Sequence, residues 1–139
     1  MYFKIETRLP SLNEYIDANR RNRQIGARMK REVEDVIGYY IMAARRRGTI
    51  RPVDEPVEIH IEWHEKTKRR DVDNIQSSQK FILDALQKAG VIVNDNRKHV
   101  KQIFHKIIDD TEDYVMVTVA TLPESDEKGA IPRSKKAKV

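Results

Sequence analysis

Residues 57–90 read VEIHIEWHEKTKRRDVDNIQSSQKFILDALQKAG, and they decide how the rest of the chain is read. Val57, Ile59, Ile61 and Trp63 alternate with Glu58, His60, Glu62 and His64, the period-two pattern of a strand with one buried face. Lys66 to Arg70 then form a basic loop. From about Asp73 to Ala89 the apolar residues Ile75, Ile82, Leu86 and Ala89 recur at helical spacing, until Gly90 ends the helix. A strand that passes through a loop into a helix puts that loop at the strand's carboxyl end, where open sheets build their sites.

Upstream, residues 2–9 alternate as a first strand, closed by Pro10 and a turn over Ser11 to Asn13. Ile25, Met29, Val33, Val36, Ile37, Tyr40, Ile41 and Ala44 form the apolar stripe of a long helix that Gly48 terminates, and the arginine-rich stretch 18–24 is compatible with loop or helix. Downstream, Val91 to Val93 is a short apolar return before the turn Asn94-Asp95-Asn96. Val100 to Ile108 and Tyr114 to Leu122 read as a final hairpin joined across Asp109 to Asp113. The order β-α-β-α-β-β predicts an α/β fold, a mixed β-sheet with two main helices packed on it, as a single compact domain over residues 1–123. Residues 124–139 are polar and basic without periodicity, and a disordered tail is expected there.

A chain of 139 residues is long enough for one real core and short for two. With no cysteine, disulfides, thiolate zinc sites and cysteine nucleophiles are excluded. No apolar run approaches the ~20 residues that span a bilayer, and no signal peptide opens the chain, so no membrane partner and a cytoplasmic location are expected. There is no glycine-rich phosphate loop and no nucleophile elbow. Net charge is +5, and between Arg8 and Arg51 there are 11 Lys or Arg against 5 Asp or Glu. Arg20, Arg21 and Arg23 with Arg28, Lys30 and Arg31 make one cluster, and Arg45 to Arg47 another. Concentrated charge of this kind favours a polyanionic partner bound in a salt-sensitive way, although charge runs are more often simply solvated faces.

What favours nucleic acid is the company the charge keeps. Asp71 and Asp73 stand one residue apart and repel unless a cation, protons or basic groups intervene. Acidic helix caps are the plain alternative. Capping has no need of the run Lys68-Arg69-Arg70, however, and Asp95 lies just past the helix-ending glycine in a loop too polar to be core. Three carboxylates, Asp71, Asp73 and Asp95, are hard oxygen donors suited to Mg²⁺, with Mn²⁺ as a substitute, and such an ion beside basic residues suits phosphodiester hydrolysis.

These residues resemble the RusA-type Holliday junction resolvases. The family pattern is a basic run, Asp-x-Asp-Asn, a lysine on the following helix, Asp-Ala-Leu with Lys-Ala-Gly, and a further Asp. Here it reads Arg69-Arg70-Asp71-Val72-Asp73-Asn74, Gln79-Lys80, Asp84-Ala85-Leu86-Gln87-Lys88-Ala89-Gly90 and Asn94-Asp95. Leu9-Pro10-Ser11-Leu12-Asn13-Glu14-Tyr15 is similar to the family's N-terminal segment. The family lysine falls four residues after the second Asp, where this chain has Ser77. Lys80 precedes Asp84 by the family's interval and takes the role, with Ser77 as the other occupant. Where the family has Asp-Asp, this chain has Asn94-Asp95, and Asp95 takes the ligand role.

The resemblance implies a Mg²⁺-dependent endodeoxyribonuclease of DNA recombination and repair that resolves four-way DNA junctions by paired nicks, acting as a homodimer. Asp71, Asp73, Asp95 and Lys80 would be catalytic, the three aspartates would hold the metal, and Lys68, Arg69, Arg70, Arg20, Arg21 and Arg23 would contact DNA. The alternatives are a non-catalytic basic nucleic-acid-binding protein and a metal-dependent nuclease for another branched DNA. A free exposed pair of Lys80 with Asp84 is the plain reading of that lysine. His60, Glu62 and His64 share a strand side and are better read as its solvent face than as metal ligands. The acidic run 109–113 reads as a turn rather than a cation site, and Pro132 to Lys138 as an auxiliary basic tail.

Overall fold

The sheet has four strands, two interior and two at its edges. The computed structural model describes residues 1–123, and the tail expected at 124–139 lies outside the described residues. The elements are β1 (Tyr2–Ile5), α1 (Leu12–Arg21), α2 (Arg23–Arg47), β2 (Val57–Glu65), α3 (Val72–Gln76), α4 (Gln79–Lys88), β3 (Val100–Asp109) and β4 (Tyr114–Thr121). β2 pairs antiparallel with β4 on one side and parallel with β3 on the other, and β1 pairs antiparallel with the far side of β4, giving the order β1-β4-β2-β3. The α/β architecture with a mixed sheet is as the sequence predicts. Among the described residues, no helix is long and apolar enough to cross a membrane.

The expected final hairpin is not formed. β3 and β4 run antiparallel to each other, as hairpin strands do, but β2 lies between them. Their four-residue connector, 110–113, crosses the carboxyl end of β2, where the Asp110 N–H donates to the Glu65 carbonyl. Skipping one strand means spanning about 10 Å, within the reach of four extended residues. The reason for the insertion is burial: Val57, Ile59, Ile61 and Trp63 put a continuous apolar row on the inner face, and the central position covers it best.

Two helical expectations are also corrected, and one left open is settled. Ser11 to Asn13 is no free turn, because Ser11 starts α1 with a reciprocal capping box to Glu14. The stretch 18–24 is helical on both sides of Asn22, whose side chain caps α2 by accepting from the Gln24 and Ile25 N–H groups. The expected helix 73–89 is two pieces broken at Ser77 and Ser78. Along α2, Val33, Ile37, Ile41 and Ala44 are buried against β1 and α4, whereas Ile25 and Val36 at the stripe's edge remain 39% and 41% exposed. Left-handed Gly48 and Gly90 close α2 and the turn after α4, with φ of 81° and 76°.

α1 folds back on α2 at a distance only glycine permits. A Cβ at Gly26 would lie 2.7 Å from Asn19 Oδ1 and 2.8 Å from Asn19 Cα, and the backbone atom cannot swing aside. Gly26→Ala is therefore expected to prise the two helices apart and destabilise the protein by roughly 1–3 kcal/mol, as overpacking does. Thermal or urea denaturation checks it; unchanged stability would mean that the α1–α2 approach is looser than described.

Candidate functional site

The basic run is not uniform in its work. Arg70 turns inward and forms a two-pronged pair with Glu65, Nε to Oε1 at 3.1 Å and a terminal nitrogen to Oε2 at 2.8 Å, with side chains only 11% and 7% exposed. Its other terminal nitrogen donates to the Leu9 carbonyl at 3.1 Å. Arg70 was expected to hold a phosphate; the structure instead commits three of its five N–H donors to the protein, so it fastens the site rather than offering charge to a ligand. Lys68 and Arg69 stay exposed, Lys68 loosely paired with Asp109 at 3.7 Å.

The segment resembling the family's N-terminal motif is stitched to residues 70–78. Besides the Arg70 bond to Leu9, Ser78 Oγ donates to the Pro10 carbonyl at 2.6 Å and Ser77 Oγ accepts from the Leu12 N–H at 3.0 Å. Asn13 Nδ2 donates to Asn74 Oδ1 at 3.3 Å. These bonds explain the break between α3 and α4. Ser78 donates its hydroxyl to the neighbouring segment, where the buried group needs an acceptor, and Ser77 accepts from that segment while donating to the Asn74 carbonyl at 2.6 Å. Both a lone pair and the proton of the Ser77 hydroxyl are thereby engaged within the protein.

Asp71 stands at the N-cap of α3 yet makes no side-chain capping bond, and Asp73 accepts only the N–H of its neighbour Asn74. The capping alternative is thus not realised for Asp71. Lys80 Nζ lies 3.1 Å from Asp84 and 3.5 Å from Asp95, which brings the 71–80 segment and the 94–96 turn together. The hydrogen bond to Asp84, reinforced by the charges of Asp84 and Asp95, holds the Lys80 ammonium above the usual lysine value against the opposing effect of burial. Lys80 and Asp73 also line one open cleft of about 620 Å³, together with Leu12, Ser77, Gln79 and His105. The three aspartates are not gathered at ligand spacing: among the described residues, no three His, Asp or Glu side chains could hold one metal ion. The donor chemistry nonetheless fits a hard cation, since Asp71 is uncommitted, Asp73 keeps one oxygen free, and Asp95 is engaged only by an exchangeable ammonium.

His105 was not anticipated as a site residue. It lies opposite Ile61 on the helix-facing side of β3, between Ile103 and Ile107, where period-two reading expects an apolar side chain. Its Nδ1 accepts from the Trp63 indole N–H at 2.9 Å and its Nε2 meets Gln79 Oε1 at 2.8 Å. The available signal was Trp63 itself, because a buried indole N–H needs an acceptor nearby. Burial pushes the His105 pKa below the ordinary 6.5.

Arg20 and Arg21 end α1 and Arg23 begins α2, all exposed, about 12–15 Å along the helix from the cleft at Leu12. A hollow of about 850 Å³ lies here between α1 and α2; Arg20, Arg21 and Arg28 share it with Glu14, Asp17 and Glu32, so its charge is mixed. On the sheet face away from the helices, His60 is exposed and stacks on Phe104 as the strand pattern suggests. His64 departs from that pattern. It is buried on Tyr114 with ring centres 3.9 Å apart, and Asp110 and Glu62 contact its two nitrogens at 2.8 and 3.2 Å. Asp110 belongs to the acidic run, and the bond to His64 holds its carboxyl below the usual value.

No protein-family model matches this chain, and no curated protein matches it.

Glu65→Ala should leave the Arg70 guanidinium buried without its partner, at a cost of about 3–5 kcal/mol in chemical denaturation. A cost below 1 kcal/mol would mean that the pair is effectively solvated. For His105 the folded pKa is depressed, so its contribution is fully present above the unfolded value near 6.5 and is lost as pH falls through the lower folded value. His105→Gln is therefore expected to flatten the acid side of the stability–pH curve, measured by urea midpoints, where the wild type declines.

Proposed function

We propose that this protein is a divalent-metal-dependent, structure-selective endodeoxyribonuclease of the RusA type, acting on four-way DNA junctions. The observation that carries the reading is Lys80: its ammonium pairs with Asp95 at 3.5 Å and its side chain lines the same open cleft as Asp73, so one basic residue links the 94–96 turn to that cleft. Asp71, Asp73 and Asp95 would hold Mg²⁺, or Mn²⁺ in its place. Once bound, the ion would supply charge neutralisation at the phosphate and activation of a water.

Lys80 stays cationic at neutral pH because Asp84 holds its proton, so it acts as an electrostatic stabiliser of the phosphate and not as a proton acceptor. With Asp95 among the residues that would hold the ion, Lys80 would keep its pair with Asp84 and have its remaining donors for a phosphate oxygen. Lys68, Arg69, Arg20, Arg21 and Arg23 follow the DNA backbone, which positions the duplex without reading its sequence. Arg70 acts at one remove, by fixing the loop from which Asp71 starts. Two symmetric nicks need two sites, and the proposal therefore includes a homodimer.

A second reading, a nucleic-acid-binding module without catalysis, draws on the absence of a ready cluster of three ligands among the described residues. A synthetic four-way junction separates the two. Mg²⁺-dependent nicking is expected, with Asp73→Asn and Asp95→Asn cutting at background level while still binding, since removing negative charge does not weaken attraction to phosphate. A gel shift with no metal-dependent product in the wild type would leave the binding module, and better cutting of flaps than of junctions would change the substrate. Each of Arg20→Gln, Arg21→Gln and Arg23→Gln is expected to reduce the steepness of the log affinity against log salt plot by about 1.

A further inference from the structure

The proposed reaction leaves Trp63, His105 and Gln79 without a role, although they form one hydrogen-bonded row ending in the cleft beside Lys80. The direction of each bond in the row is fixed by its first member. An indole N–H can only donate, so His105 Nδ1 is an acceptor and carries no proton. Neutral imidazole then has its proton on Nε2, which donates. The group it meets must accept, so the Gln79 carboxamide presents its oxygen to His105 and turns its NH₂ the other way. Among the described residues that NH₂ has no hydrogen-bond partner, although Gln79 lines the same cleft as Asp73 and Lys80.

We infer that Gln79 is a phosphate-binding residue of the cleft, its NH₂ donating to a non-bridging oxygen of the DNA phosphodiester beside Lys80, and that His105, locked by Trp63, is the positioning residue that aims it. This rests on the nuclease reading for the identity of the ligand. A donor with no acceptor among the described residues, in a cleft that the Lys80 side chain also lines, matches a phosphate oxygen, which only accepts. A free glutamine on a helix would lose rotamer entropy on binding. Gln79 has already lost it, because the row holds its carboxamide from behind.

The test compares Gln79→Glu, Gln79→Met, His105→Phe and the Gln79→Met/His105→Phe double variant on a synthetic four-way junction in Mg²⁺, with thermal denaturation of each. Gln79→Glu keeps an oxygen for His105 and replaces the donor by an anion. It is expected to lower kcat on the order of 100-fold at unchanged melting temperature. His105→Phe is expected to lower kcat in the wild-type background and to cost nothing further once Gln79 is methionine, the signature of a residue acting through another. In metal-free buffer the side-chain amide resonances of Gln79 should shift when a short oligodeoxynucleotide is added. Wild-type kcat in Gln79→Glu, or equal effects of His105→Phe in both backgrounds, overturns the inference. An unmoved Gln79 amide in a protein that cuts junctions sinks it alone, whereas a shifted amide in a protein that cuts no branched DNA supports it and sinks the nuclease reading.

Discussion

The buried pair between Arg70 and Glu65 is the constraint on which the site's geometry hangs. Two charges removed from water are stable only when each finds its partner in good geometry, and here both carboxylate oxygens and two guanidinium nitrogens meet. Because Glu65 is the last residue of β2 and Arg70 the last before Asp71, the pair closes the loop 66–69 at its base. Asp71 therefore begins from a point fixed to the central strand. The third bond of Arg70, to Leu9, passes that fixity to the chain that starts α1, and the serines of the α3–α4 break extend it. One interaction thus sets the register between the end of a strand, the start of a helix and a segment sixty residues earlier.

Much of the fold was legible because it follows from periodicity. β2 shows strict alternation, α2 a stripe that ends at a glycine, and both reflect burial against one large partner. The hairpin misreading has a different origin. Pattern and connector length say that β3 and β4 run antiparallel and close together, and nothing local says whether a third strand slips between them. That choice belongs to the whole sheet, which must cover the apolar row of β2 from both sides. The helix break at Ser77 and Ser78 was hidden for a similar reason, since Ile75 and Ile82 keep helical phase across it and the cause lies in the carbonyl of Pro10.

The candidate site was partly readable. Asp71, Asp73, Asp95 and Lys80 stand out by type and spacing, and Lys80 meets Asp95 in space. Arg70 looked like its neighbours in the basic run, and only Glu65, on the strand before, distinguishes it. Glu65 lies just past the alternating stretch, where strand parity gives no guidance. His105 was obscured because a histidine between two isoleucines is ordinarily core. Its meaning comes from Trp63 across the ladder and Gln79 on a helix, contacts that linear distance does not reveal.

The strand order has a bearing on how such a chain comes to life. Among the described residues, β1 has β4 as its only strand partner, and more than a hundred residues separate the two in the chain. The α1–α2 pair can assemble from neighbouring residues and α2 can pack on β1, but the ladder bonds of β1 wait for residues 115–118. Closure of the sheet is thus a long-range event, whose loop-closure entropy must be met before its contacts form.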